Sequence, residues 1–314
     1  MVKVSTIIPA YNAERTIVQA IDSALSQDYE GQEIVVVNDG STDMTAAILG
    51  KYGGEIQVIT QRNRGLSAAR NTAVCRSTGK YLALLDADDI WLPGKLKTMV
   101  SALERNPSAS LAFSDYRWID DKGAHGGSSV CDVAGLQRLM SESPLPVYSF
   151  PTSILPSTWV MPRQVVERIG GFCEDFKGAG GCDDAWILLL LRELGEFIHV
   201  PEKLIVYRFV ESGKTADKYG PGLSIFIYLV KERYGAKGKA LIRDAKNSQC
   251  RGLLSKVAYQ MNDGDRLGAL RTLARIVKLR PAFFFTPAFR GRLFLPHNLK
   301  RVRDLVAVLG SAND

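Results

Sequence analysis

Short β-branched apolar runs alternate with segments of helical period through the first third of the chain. The pairs are residues 4–8 then 13–26, 34–37 then 42–51, 56–60 then 66–77, and 81–85 then 93–105. Strand followed by helix, four times over, predicts an α/β fold with a doubly wound, mostly parallel sheet and helices on both faces. Right-handed crossovers would bring the loops that follow the strands to one edge, where open α/β sheets bind ligands. Residues 109–118 read as a further strand. Residues 120–150 are rich in Gly, Ser and Pro without a period, and predict a long loop over that edge, of the kind that serves as a lid or recognition element. A strand over 154–161, a helix over 184–194 and a strand over 204–207 follow. From Gly222 the pattern is helical, broken at Gly235, around Asp263-Gly264-Asp265, and at Pro281, Pro287 and Pro296. The expected organisation is an α/β domain over 1–220 and a basic helical extension over 221–314.

Charge sharpens that division. Residues 1–230 carry 22 Lys and Arg against 27 Asp and Glu, whereas residues 231–303 carry 18 against 4. So basic a tail attracts polyanions, either nucleic acid or the anionic headgroups of a cytoplasmic leaflet, unless it is only a solvated helical surface. Apolar runs such as 186–191 and 223–230 fall far short of the roughly 18 residues that span a bilayer, so membrane contact is expected to be peripheral. The five cysteines are scattered without a CxxC pair, which argues against a disulfide framework and a structural zinc site. With no secretory signal pattern at the N-terminus, the expected location is the cytoplasm.

The candidate chemistry lies where the predicted strands end: Pro9-Ala10-Tyr11-Asn12, Asn38-Asp39-Gly40-Ser41-Thr42-Asp43 and Asp86-Ala87-Asp88-Asp89. Neither GxGxxG nor GxxxxGK[ST] is present, so phosphates must be held another way. Carboxylates as crowded as Asp86, Asp88 and Asp89 suit a hard divalent cation, Mg²⁺ or Mn²⁺, that also binds phosphate oxygens; the alternative is that Asp88 or Asp89 caps the following helix. Asp39 can accept from a pyrimidine imide or a ribose hydroxyl, with Tyr11 as a stacking surface, or it can form an Asx-turn and cap. Arg70, one turn into the helix after Asn63-Arg64-Gly65, can face a diphosphate or make a surface ion pair. Asp183-Asp184 opens an apolar helix behind glycines and can supply a general base or a helix cap. The three histidines are isolated, which removes support from hydrolase and zinc chemistry.

In order, VSTIIPAYNAERTI, EIVVVNDGSTDMT, NRGLSAARNTAVCRSTGKYLALLDADD and DDAWILLLLRELG resemble the family-two inverting glycosyltransferases of GT-A fold, the type that assembles bacterial polysaccharide and lipopolysaccharide. The likeness spans about residues 3–210. It implies that Pro9, Ala10 and Tyr11 border the nucleobase, Asp39 reads the base, Arg70 lies near the diphosphate, and Asp86 and Asp88 are the outer residues of a DxD, with Asp88 the direct metal ligand. Asp183-Asp184 aligns with the family's Glu-Asp pair, so Asp184 inherits the base role. The implied donor is a nucleotide diphosphate sugar, UDP-linked, and the acceptor a saccharide or lipid-linked hydroxyl at the inner face of the membrane, with no nucleic acid involved. The chain departs from the family in having Val210 where many members have a metal-binding histidine. It also lacks the Gln-x-x-Arg-Trp element and membrane spans of processive synthases, which favours addition of a single sugar. Two other readings stay open: a sugar-1-phosphate nucleotidyltransferase, which would want a basic glycine-rich loop after the first strand, and a binding protein that kept the fold without turnover.

Overall fold

A computed structural model describes residues 3–120, 125–128, 154–178, 182–209, 214–262 and 264–285. The chain divides into two compact units, Met1–Ser212 and Gly213–Asp314.

The first unit is built on the expected strand–helix alternation. Strands β1 (Val4–Ala10), β2 (Gln32–Asn38), β3 (Gln57–Thr60) and β4 (Tyr81–Leu84) alternate with helices α1 (Ile17–Leu25), α2 (Thr45–Leu49) and α3 (Leu66–Arg76). β5 (Ile90–Trp91), α4 (Lys95–Glu104), β6 (Ala109–Asp120), β7 (His125–Ser128), β8 (Val160–Pro162), α5 (Arg163–Arg168), α6 (Asp183–Leu194) and β9 (Glu196–Phe209) complete it. The sheet order is β3-β2-β1-β4-β8-β6-β9-β5, with β7 pairing β6. β1, β2, β3 and β4 run parallel, and so do β6 and β9, whereas β8 lies antiparallel between the two groups. Every residue of β1 is buried, as a central parallel strand covered on both faces requires. The core gathers Val4, Ile8, Ile17, Ile21, Val36, Trp91, Leu96 and Ile205.

Four expectations need correction. Residues 154–161 are not one strand: Pro156–Thr158 forms a 3₁₀ turn, closed by Thr158 N–H donating to the Leu155 carbonyl, and only β8 follows it. Proline has no N–H for a ladder, so the turn wins. β9 is far longer than 204–207, because Pro201 and Glu202 bulge out between Ser114↔Val200 and Asp115↔Lys203 without ending the strand. α1 and α2 begin later than their periods suggest, since residues 12–16 and 41–45 are laced to each other. Asn12 accepts from Thr42 N–H at 2.8 Å, Ala13 N–H donates to Thr45 Oγ1 at 2.8 Å, and Asp43 accepts from the N–H groups of Glu14 and Thr45. Within the expected 120–150 loop, residues 125–128 form β7; the rest of it, residue 120 apart, lies outside the described residues.

In the second unit, α7 (Lys214–Tyr234), α8 (Lys239–Asn262) and α9 (Arg266–Leu279) form the helical extension, α7 running across the 220/221 boundary read from the sequence. Cys250, Leu253, Val257, Ala269, Leu273, Ile276 and Phe283 make its own core. Among the described residues no helix is long and apolar enough to cross a membrane.

Candidate active site

The carboxyl ends of β1 and β4 open onto a cleft of about 560 Å³. Pro9, Tyr11, Asn12, Asp43, Asp86 and Asp88 line it, all within the strand-end motifs read from the sequence, together with Glu14, Arg15 and Leu66, which the sequence does not single out. Tyr11 is half exposed at its mouth. Asn12 takes a left-handed backbone (φ 49°), the exception asparagine tolerates best, and so turns the chain back toward the 41–45 loop. Ala10 is buried behind the rim.

Asp39 lies beneath this surface, 3% exposed. Its Oδ1 accepts from Gln61 Nε2 at 2.7 Å and from Arg64 N–H at 2.9 Å, and its Oδ2 from Gly65 N–H at 2.8 Å. Three of about four acceptor positions are therefore spent on holding the turn that leads into α3. The neighbouring loop must come close for this to happen: a Cβ on Gly40 (φ +74°) would stand 2.7 Å from the Asn63 nitrogen, so only glycine fits.

Arg70 is 1% exposed, under the cleft and not on a surface. Its Nη2 donates to Asp86 Oδ1 at 2.9 Å and its Nη1 to Asp184 Oδ1 at 3.2 Å, while the guanidinium carbon lies 5.5 Å from the centre of the Phe172 ring. Burial works against the charge, but Asp86, Asp184 and Asp183 outweigh it and hold Arg70 protonated more firmly than usual. Among the described residues its Nε has no hydrogen-bond partner. Arg70 thus joins the loop after β4 to the start of α6, reaching Asp184 across 114 residues of sequence.

The acidic rim is strained by its own charge. Burial and the nearby Asp86 push the Asp88 carboxyl up, to about 6, against the pull of Arg208. Asp89 is 2% exposed and raised well above the usual carboxylate range by burial, then by Asp88 and Asp86. It accepts from Arg208 N–H at 3.1 Å. Asp89 is therefore a structural acid, whereas Asp88 lines the cleft. Asp184 is raised to about 7 by burial and Asp183, with Arg70 pulling the other way. Ser157, in the 3₁₀ turn, is a residue the sequence does not single out: its Oγ accepts the Asp86 N–H at 3.0 Å and its hydroxyl bonds the Asp89 carboxyl, fixing the head of the acidic loop.

Among the described residues no group of three His, Cys, Asp or Glu side chains converges as a closed metal cage. Asp86 and Asp88 still fit a hard cation, because a cation at the open cleft would relieve their mutual repulsion and take its remaining ligands from water and phosphate, as Mg²⁺ commonly does. Val210, where the histidine is missing, lies outside the described residues.

The profile of glycosyl transferase family 2 matches residues 5–142. An uncharacterized glycosyltransferase of Haemophilus influenzae is 42% identical over 223 residues, covering 69% of this chain and 68% of that protein. The chain belongs to this family. The Escherichia coli UDP-Glc:alpha-D-GlcNAc-diphosphoundecaprenol beta-1,3-glucosyltransferase WfgD is 37% identical over 125 residues, which cover 39% of this chain and 49% of WfgD. The mannosyltransferase PcManGT of Pyrobaculum calidifontis, solved with GDP-Man and Mn²⁺, superposes with a TM-score of 0.59 at 18% identity, covering 98% of this chain and 86% of that one. The chain thus has the GT-A fold. It spans about half of one Rickettsia relative it matches, 54%, and 29% of another.

Proposed function

We propose that this glycosyltransferase moves a single sugar, with inversion, from a UDP-linked donor to a hydroxyl of a saccharide or lipid-linked acceptor, in assembly of cell-surface polysaccharide or lipopolysaccharide at the inner face of the plasma membrane. The observation that carries the reading is the Arg70 bridge, which sets the Asp184 carboxylate beside the acidic rim of the cleft. WfgD, whose name gives a UDP-sugar donor and a diphosphoundecaprenol acceptor, supports the choice of donor and acceptor class.

Inversion is one in-line displacement. The acceptor oxygen forms a bond to the anomeric carbon as the bond to the diphosphate breaks, and its proton passes to a base. Asp184 is the proposed base, with Asp183 as the neighbour that raises its proton affinity. Tyr11, Pro9 and Ala10 border the nucleobase, and Asp39 orders the turn beside it while keeping an acceptor position for base or ribose. Asp88 and Asp86 would hold Mg²⁺ or Mn²⁺, which when bound offsets the charge that grows on the leaving diphosphate. Arg70 keeps Asp86 and Asp184 in register from below. PcManGT, solved with Mn²⁺, supports the cation.

The test is a panel of nucleotide sugars with Mg²⁺ or Mn²⁺, scored by release of nucleoside diphosphate. Release from a UDP-sugar that rises with added acceptor is the expected result. Binding of UDP-sugars with no release under any condition would establish a non-catalytic relative instead.

A further inference from the structure

The outer surface of α9 has a composition that its role in the helical core does not need. Ala269, Thr272, Leu273 and Ile276 bury one side of this helix. On the other side, Leu267 is 60% and Val277 42% exposed. At 100° per residue, Leu267, Ala274 and Val277 form an apolar strip, and Arg271, Arg275 and Lys278 a basic strip directly beside it. No acidic residue occurs between Arg266 and Arg280. Apolar and basic strips side by side, with no acidic residue among them, are more than the single scattered apolar side chains that ordinary surfaces carry.

We infer that this face of α9 docks on anionic phospholipid headgroups, the apolar strip entering the interfacial layer and the basic strip pairing with phosphates. It extends the proposal of a membrane-bound acceptor by naming the element that would meet the bilayer. A strip of each kind, side by side on a helix about 21 Å long, is the arrangement of helices that lie in an interfacial plane. Charge decides among occupants. The chain's own residues 286–303 carry five basic and no acidic side chains, and the same face of a second copy would present the same cations, so both are repelled.

The experiment is co-sedimentation of the full chain with vesicles of phosphatidylcholine alone or mixed with phosphatidylglycerol. Binding should require phosphatidylglycerol and weaken with salt. Arg271→Gln with Lys278→Gln should lower the partition coefficient about 30-fold, from roughly 1 kcal/mol per basic residue at the surface. Leu267→Gln should weaken it several-fold in a manner salt does not change. Equal binding to both vesicle types, or double-variant binding at the wild-type level with unaltered helical circular dichroism, overturns the inference, as does capture by an acidic protein without vesicle binding. Diphosphate release measured without vesicles should be the same in wild type and double variant. Intact anionic-vesicle binding in a protein that turns over no donor would sink the transferase reading and leave the docking face standing.

Discussion

Nη1 of Arg70 stands 3.2 Å from Oδ1 of Asp184, so the proposed base is held by a residue buried beneath the cleft and not by its own helix. Removing a partner from a buried ion pair leaves uncompensated charge, which commonly costs 3–5 kcal/mol. Here Asp86 and Asp184 keep some solvent contact, which reduces the cost. Arg70→Met should therefore lower stability by about 1–3 kcal/mol in urea titration and lower kcat by more than tenfold. Arg70→Lys, with one charge and no fork, should recover stability better than kcat. Equal recovery of both would mean that Arg70 acts only as a structural cation.

Asp184→Asn should leave donor affinity close to wild type and reduce transfer by about 10²–10⁴-fold, the usual share of general-base catalysis. The pH dependence has a definite sign. Burial and Asp183 raise the Asp184 carboxyl to about 7 in the donor-free protein, and a base works only when ionised. The kcat/KM for acceptor should accordingly climb as pH rises through about 7 and level off above it, and a bound divalent cation should move the midpoint down. A flat profile from pH 5 to 9 would reject this assignment.

Local pattern carried much of the fold and little of the site's wiring. The alternation of β1, α1, β2, α2, β3, α3 and β4 is legible because buried parallel strands and amphipathic helices have distinct periods. The acidic pairs at 86–88 and 183–184 are legible as clusters of one charge. What the pattern lacks is distance: Asp39 meets Gln61, Arg64 and Gly65, and Arg70 meets Asp184, through contacts that no spacing encodes. Arg70 therefore reads as a surface ion pair or a phosphate-facing cation, and only its burial excludes the first. Ser157 is hidden for a related reason, since its apolar neighbours mimic a strand and the proline that breaks it is the sole local cue.

Asp88→Ala should weaken nucleotide binding in the presence of Mn²⁺ and leave the weaker metal-free binding unchanged, as measured by calorimetry with UDP. Asp88 lines the cleft, and burial of its carboxyl there, with the nearby Asp86, raises its proton affinity, so a cation gains most from displacing that proton. Loss of affinity equal in both conditions would instead assign Asp88 to the nucleotide or to the fold.

The last prediction concerns Lys95, the first residue of α4, which is fully buried. Among the described residues its ammonium has one long hydrogen bond, 3.5 Å to the Thr158 carbonyl, and it lies 4.6 Å from the centre of the Trp91 ring. Burial lowers it to about 7, and its place at the positive end of a helix acts in the same direction. Between pH 7 and about 10.5 the unfolded chain then binds the proton that the folded chain has released, so stability must increase with pH across that window. Below pH 7 both states are protonated and the folded protein bears the full cost of the buried charge. Lys95→Met keeps the volume and removes the charge. It should stabilise the protein by about 2–4 kcal/mol at pH 6, less than the shift alone implies because the Trp91 and Thr158 contacts are lost, with the gain shrinking toward pH 10. Urea denaturation of both proteins at pH 6 and pH 9 checks this, and a variant that is less stable at pH 6 would show that the ammonium is better accommodated than its surroundings indicate.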